Sequence, residues 1–255
     1  ENPYEAIKVN VCGTKCLTDL SVHFKVDKFV MVSTDKAVNP TNVMGATKRV
    51  AEMYISSVEN TGKTKFITTR FGNVLGSNGS VIPLFKKQIE TGGPITVTHK
   101  DITRYFMTIP EACQLVLEAG IMGKGGEIYV FDMGDSVKIY DVAKKMIQLS
   151  GLHFPEDIDI KISGLRPGEK LFEELLANGE NTQPTHHDKI MIAKSADFNK
   201  VEVKQKIEHI CLDTIHVDNL GIGTLIKNLV PEYISNNSVY EKLDKSKEDN
   251  LIPIL

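Results

Sequence analysis

Hydrophobic patterning is clearest at Phe29-Val30-Met31-Val32, an apolar run without alternation, as a parallel strand covered on both faces requires. Its carboxyl end meets Ser33-Thr34-Asp35-Lys36. Asn39-Pro40-Thr41-Asn42 then supplies turn chemistry in which Thr41 or Asn42 caps a helix from near Val43 to near Asn60. Val50, Met53, Tyr54 and Ser57 form its inner face, and Thr61-Gly62 stops it. Before the strand, Ile7, Val11, Leu17, Leu20 and Phe24 recur as the apolar set of a helix.

Further strands are expected over residues 65–70, 95–98 and 127–131, and helices over 82–90, with Pro83 tolerated in its first turn, and 110–122. Ala112, Leu115, Val116 and Ala119 point inward from the latter. Val142, Ala143, Met146, Ile147 and Leu149 mark another helix, ended by Gly151. Residues 158–162 and 189–192 alternate, which suggests half-covered strands of a smaller sheet. Helices follow over 198–210 and 219–229, and the polar, charge-rich stretch 236–250 reads as a loosely held tail. No internal repeat or low-complexity tract interrupts this order.

Met44 and Lys48 stand four apart on the helix after the first strand, so both project from one face, back over the strand end. An acid (Asp35), two amines (Lys36, Lys48) and two hydroxyls (Ser33, Thr34) therefore converge on one point. Composition adds little. The chain has 255 residues, 41% hydrophobic and 25% charged, enough for a sizeable core. A net charge of −3 gives no reason to expect nucleic acid or an anionic membrane surface. No apolar run approaches the roughly 18 residues of a membrane span, and the start is not a signal peptide. Cys12, Cys16, Cys113 and Cys211 form no Cys-x-x-Cys pair and read as buried thiols in a reducing cytoplasm. His186-His187-Asp188 lacks further ligands at useful spacing and reads as a loop, so no metal is expected.

The strand-end constellation resembles the extended short-chain dehydrogenase/reductase family, whose members carry Ser/Thr at a strand end and Tyr-x-x-x-Lys on the next helix. Lys48 fits the lysine, whereas Met44 stands at the tyrosine position. A Ser-Met-Lys version with Thr-Asp-Lys at the strand end resembles the polysaccharide-biosynthesis branch, which includes membrane-anchored UDP-N-acetylglucosamine 4,6-dehydratases. The resemblance continues through Arg70-Phe71-Gly72-Asn73-Val74-Leu75-Gly76-Ser77 and Gly79-Ser80-Val81-Ile82-Pro83. It extends to Thr103-Arg104-Tyr105-Phe106-Met107-Thr108 and Leu165-Arg166-Pro167-Gly168-Glu169-Lys170, covering roughly residues 1 to 195.

That resemblance implies an α/β fold: the second half of a Rossmann-type doubly wound parallel sheet (residues 1–75 and 108–135) and a smaller α/β lobe for the nucleotide sugar (76–107 and 136–200). Residues 201–255 would add a helical extension and tail. No glycine-rich dinucleotide turn opens the chain; Gly72, Gly76 and Gly79 have other spacing and follow a late strand. The chain is therefore expected to be a fragment without the first half of its nucleotide-binding domain, from a parent anchored at the cytoplasmic face of a membrane.

The implied activity is removal of hydride from sugar C4, elimination of water across C5 and C6, and return of hydride to C6, on UDP-N-acetylglucosamine in surface polysaccharide or glycan synthesis. Asp35 would be the acid and Lys36 the C5 base, its pKa lowered by burial and by Lys48 nearby. Lys48 would bind the nicotinamide ribose, with Ser33, Phe71 and Gly72 also on the cofactor, NAD or NADP with NADP preferred. Thr34 would bond the sugar near C4. Asn73, Arg104 and Arg166 would face the diphosphate, Ser80, Val81, Pro83 and Leu84 the uracil, and Glu169 the uridine ribose. Asn10, in Asn-Val-Cys-Gly-Thr, would support the catalytic lysine. Met44 cannot take the C4 hydroxyl proton, so either Asp35 acts twice or a water between Thr34 and Lys48 serves. A homo-oligomer is expected, with a four-helix contact built from the helices that carry Cys12 and Val50. Two other readings stand: a UDP-sugar 4-epimerase, which needs neither a C6 acid nor a C5 base, and a non-catalytic nucleotide-sugar-binding module.

Overall fold

In the computed structural model, which describes residues 2–58, 62–176, 181–194, 198–213 and 217–244, the chain opens with helix α1, made of Pro3–Ala6, a π-helical Ile7–Cys12 and Gly13–His23 in unbroken succession. The apolar run becomes strand β1 (Lys28–Val32). Helix α2 (Val43–Val58) follows, its first turn capped by Asn42, whose Oδ1 accepts the Gly45 N–H at 2.9 Å. Strands β2 (Lys65–Arg70), β3 (Ile128–Phe131), β4 (Asn181–Pro184) and β5 (Ile190–Lys194) complete a sheet ordered β1-β2-β3-β5-β4. The first three pair in parallel, Val30 opposite Ile67 and Thr69 opposite Tyr129; β5 returns antiparallel with Ile190 opposite Phe131.

Residues 190–194 thus join the main sheet instead of the smaller one. Ile190 and Ala193 are buried while Met191 and Ile192 are partly open, the half-covered pattern of an antiparallel strand near a sheet edge. The smaller pair is Ile95–Val97 with Ile160–Ile162, clasped by helices α3 (Val81–Glu90) and, after α4 (Ile109–Met122), α5 (Ile139–Leu149). Helix α4 covers one face of the sheet through Ala112, Leu115 and Ala119 over Ile67 and Tyr129.

The other face packs under α1 and α2, and α2 is covered in turn by α6 (Lys200–Asp213) and α7 (Asn219–Leu229). Val203, Ile207, Ile210, Ile222, Ile226 and Leu229 share one core with Val50, Met53 and Tyr54. The outer face of α2, expected in a four-helix contact between subunits, is therefore occupied by the chain's own helices.

Three further expectations change. Leu17 is 58% and Phe24 71% exposed, and Thr18 and Ser21 face the core instead. The π-helical turn at Ile7–Cys12 inserts an extra residue and rotates the phase of everything after it. The tail is not loose where it is described. The Gly168 N–H donates to the Asn236 carbonyl at 2.6 Å, Asn236 Nδ2 to the Glu169 carbonyl at 3.3 Å, and Lys227 pairs with Asp244. Residues 245–250 of that stretch lie outside the described residues, as does Thr61, and Asn60 with it. Among the described residues, no helix is long and apolar enough to cross a membrane. Cys16 and Cys113 are exposed rather than buried, and all four cysteines are free.

Candidate active site

The site begins where β1 ends. Thr34 caps a 3-10 turn, Asp35–Ala37, by accepting the Lys36 N–H on its Oγ1 at 3.3 Å, which swings Asp35 beneath the sheet edge. The Asp35 N–H donates to the Phe71 carbonyl at 3.1 Å, tying the turn to the loop that leaves β2. Asp35 Oδ1 accepts from the Thr34 hydroxyl at 2.8 Å and from the Lys36 amine at 2.9 Å. Lys36 Nζ also donates to Asn73 Oδ1 at 3.3 Å and lies 3.6 Å from Glu173 Oε1. The charges against Lys36 are thus carboxylates, where Lys48 had been expected. Lys48 donates instead to the Val32 carbonyl at 3.0 Å, and burial holds its amine below the ordinary value while Glu52 opposes. Asn10 Nδ2 bonds Thr47 Oγ1 at 3.0 Å, joining α1 to α2 next to that lysine.

Ser33 is turned away from the cleft. Its hydroxyl donates to Glu52 Oε1 at 2.6 Å, and Glu52 accepts Arg70 Nη2 at 2.7 Å and Arg49 Nη1 at 3.2 Å. Burial by itself raises the Glu52 carboxyl, but Arg70, Arg49 and Ser33 overcome it and hold it at about 2. Phe71 likewise enters the core, stacked on Phe131 at 5.3 Å. Neither side chain is placed for a cofactor; both stiffen the strand ends below the site. Gly72 lies against Asp35, where a Cβ would come within 3.2 Å of Oδ2. Lys48, partly open at the strand end, suits a nicotinamide ribose, whereas a glycine cradle for the pyrophosphate is not among the residues described here.

Beyond the turn lies a cavity of about 730 Å³, in the range that holds a large ligand. Lys36, Met44, Asn73, Arg104, Glu169 and Glu173 line it towards the sheet, and Ser80, Val81, Leu84 and Phe85 wall it on the lobe side. Pro83 is exposed and outside that wall. Met44 is 43% exposed and presents only a thioether. Asp35 is fully buried and does not line the cavity. Asn73 spends its amide on Lys36 and on the Tyr105 carbonyl, which makes it a guide for the amine more than a phosphate ligand.

The Arg104 guanidinium is matched by Glu169 Oε1 at 3.2 Å and Glu173 Oε1 at 3.4 Å, so it arrives neutralised. Glu169 is equally engaged, also accepting the Thr98 hydroxyl at 3.2 Å and the Arg166 N–H at 3.0 Å. Arg166 is exposed at the cavity with no acidic side chain on its guanidinium among the described residues. The Ser80 hydroxyl is buried without a partner among the described residues and suits a ligand atom. Glu173 is the residue that sequence reasoning missed. Its burial raises its carboxyl; Lys36 opposes and Asp35 adds to the rise.

Known proteins share this layout. The family described as "Polysaccharide biosynthesis protein" matches residues 1–195, which include every site residue named above. The chain belongs to that family. The capsular polysaccharide biosynthesis protein CapD of Staphylococcus aureus is 58% identical over 208 residues, 81% of this chain and 35% of its own length. A UDP-glucose 4-epimerase of Rickettsia rickettsii is 37% identical over 181 residues, 70% of this chain and 52% of its own. The chain thus spans about a third to a half of these relatives.

Among solved structures, Pen from Bacillus thuringiensis superposes with a TM-score of 0.69 at 36% identity, covering 82% of this chain and 70% of Pen. A Thermus thermophilus UDP-glucose 4-epimerase in complex with NAD has a TM-score of 0.59 at 20% identity, covering 66% of this chain and 61% of its own, a likeness of fold. The Rossmann-type sheet expected from the sequence is upheld. The clasp formed by residues 233–244 lies outside the stretch that the polysaccharide biosynthesis family matches. It holds the Arg166–Glu169 loop against Thr41 and Asn42, which donate to the Gly168 carbonyl at 2.8 and 2.9 Å, and brings Tyr240 into the cavity wall.

Proposed function

We propose that the protein is a nucleotide-sugar 4,6-dehydratase acting on UDP-N-acetylglucosamine in polysaccharide synthesis, with a nicotinamide dinucleotide as cofactor. The observation that carries this reading is the Lys36 amine at the cavity wall in contact with the buried Asp35 carboxyl. An elimination needs a base for C5 and a proton for the departing C6 oxygen, and this pair offers both. Epimerisation uses neither.

A bound nicotinamide dinucleotide would supply hydride acceptance and return; the fold relative from Thermus thermophilus holds NAD. Lys48 steadies the dinucleotide at the strand end. Lys36 takes the C5 proton, and Asp35, buried behind the cavity wall, supplies the proton that leaves with the C6 hydroxyl by way of the Thr34 hydroxyl it holds at 2.8 Å. Asp35 Oδ1 also receives the Thr34 hydroxyl, a contact that supports a route from the C4 hydroxyl through Thr34 to Asp35 and so removes the need for a tyrosine. Arg166 meets the diphosphate, and Ser80, Val81 and Leu84 frame the base.

Replacing Lys36 with Ala tests the assignment. C4 oxidation, read as reduced cofactor, should persist while water loss falls by about a hundredfold or more; equal loss of both contradicts it. Asp35→Asn should abolish C4 oxidation as well if the Thr34 route holds, and should spare it if a water serves. The 37% identity to a protein named UDP-glucose 4-epimerase keeps epimerisation as the second reading. We place the reaction in the cytoplasm and expect a homo-oligomer.

A further inference from the structure

We propose that Glu173 stays protonated and donates its carboxyl hydrogen to the open Oδ2 of Asp35, so that two carboxyls hold one proton beside the Lys36 amine. Glu173 is then a positioning residue that acts through Asp35.

Three carboxyls, Asp35, Glu169 and Glu173, share two cations, Lys36 and Arg104. A third cation, Lys170, is spent on the Val38 carbonyl at 2.9 Å and on Glu174 at 3.5 Å. Glu169 is satisfied on both oxygens, and Asp35 Oδ1 holds two short hydrogen bonds. Glu173 has only the looser contacts of 3.6 Å to Lys36 and 3.4 Å to Arg104. Its side chain is 3% exposed and that of Asp35 is 0%.

One oxygen on each, Asp35 Oδ2 and Glu173 Oε2, is buried with no hydrogen-bond partner among the described residues. Two ionised carboxylates around one amine leave both of these oxygens without a donor and repel each other. The two carboxyls meet the same amine, Asp35 at 2.9 Å and Glu173 at 3.6 Å, and a proton on Glu173 removes the repulsion and gives one of the open oxygens a donor. The rise of the Glu173 carboxyl, through burial first and with Asp35 contributing, has the same sense.

Within the dehydratase reading, on which only the use of the proton rests, a neutral Glu173 weakens the grip of the site on the Lys36 ammonium. One N–H proton of Lys36 can pass 2.9 Å to Asp35 Oδ1, leaving a free amine and an Asp35 acid. The amine then takes the C5 proton as the C5–H bond breaks. Asp35 gives its proton to the Thr34 hydroxyl oxygen as Thr34 passes its own to the C6 oxygen; the C6–O bond breaks, water departs and C5=C6 forms. Lys36 ends as ammonium and Asp35 as carboxylate, the starting state, with Glu173 unchanged. An ionised Glu173 would hold the ammonium and stop the cycle.

The test needs no activity in its first arm. Protein carrying ¹³C-carboxyl glutamate, studied by infrared spectroscopy at neutral pH, should show a protonated glutamate carboxyl band that disappears in Glu173→Gln. A spectrum with every glutamate ionised overturns the proposal. In the second arm, dehydration by the full-length protein is followed against pH. Wild-type turnover should fall at alkaline pH, while Glu173→Gln, an uncharged donor of the same shape, keeps its rate and exceeds wild type by about tenfold one pH unit past the fall, with KM little changed. A variant profile parallel to wild type and merely lower overturns it. If the wild type does not dehydrate the sugar, the dehydratase reading fails and the infrared result alone decides the proton.

Discussion

At the scale of single residues, the site rests on charges whose partners are set by burial. Glu52 shows this most sharply. Its carboxyl is fully enclosed by Arg70, Arg49 and Ser33 and held at about 2, against an ordinary value of 4.5. A depressed carboxyl contributes stability above its unfolded value and loses it as pH falls through the folded one, so this contribution, on the order of 3 kcal/mol, should drain away between pH 4.5 and about 2. Glu52→Gln leaves two guanidinium groups short of charge and should cost about 3–5 kcal/mol at neutral pH in a denaturant titration. A loss under about 1 kcal/mol would show that the network is dispensable. Asp35, Lys36, Met44 and Lys48 stand out in the sequence because they lie at a strand end and at helical spacing. Ser33 is misplaced by the same reading, since a hydroxyl at a strand end can point either way and only the partner, Glu52, decides. Glu173 was invisible for another reason: Glu173-Glu174 reads as a solvated acidic pair, and only one of the two is buried.

Among elements, the decisive junction is α2 against the 3-10 turn. Gly45 is there because a Cβ would run into the Lys36 carbonyl oxygen. Gly45→Ala must push the helix off the turn that carries Asp35 and Lys36, and should cost about 1–3 kcal/mol in urea unfolding together with most of the activity. Unchanged stability and turnover would mean that the helix yields without moving the turn. The strands and most helices were legible, because unbroken apolar runs and a 3.6 period report burial directly. Two things were not. The π-helical turn in α1 breaks the period, so Leu17 and Phe24 look inward on paper and face solvent in fact. The strand Ile190–Lys194 alternates as any half-covered strand does, and alternation does not say which sheet it joins.

For the whole molecule, the lesson concerns cover. Helices α6 and α7 bury the outer face of α2, and the segment behind them crosses back to clasp the Arg166–Glu169 loop. A charge-rich stretch such as 236–244 carries no period that would announce this, because its hold comes from backbone and amide hydrogen bonds to a distant loop. Sheet, lobe and clasp together enclose the cavity, with an amine between two carboxyls at one wall and the exposed Arg166 at another. The central claim is that this enclosure eliminates water from a nucleotide sugar. The most direct measurement is a mass spectrum of UDP-N-acetylglucosamine after incubation with the full-length protein and NAD. The account predicts a product lighter by one water; an unchanged mass with a new C4 epimer would contradict it and make the Asp35–Lys36 pair a structural contact.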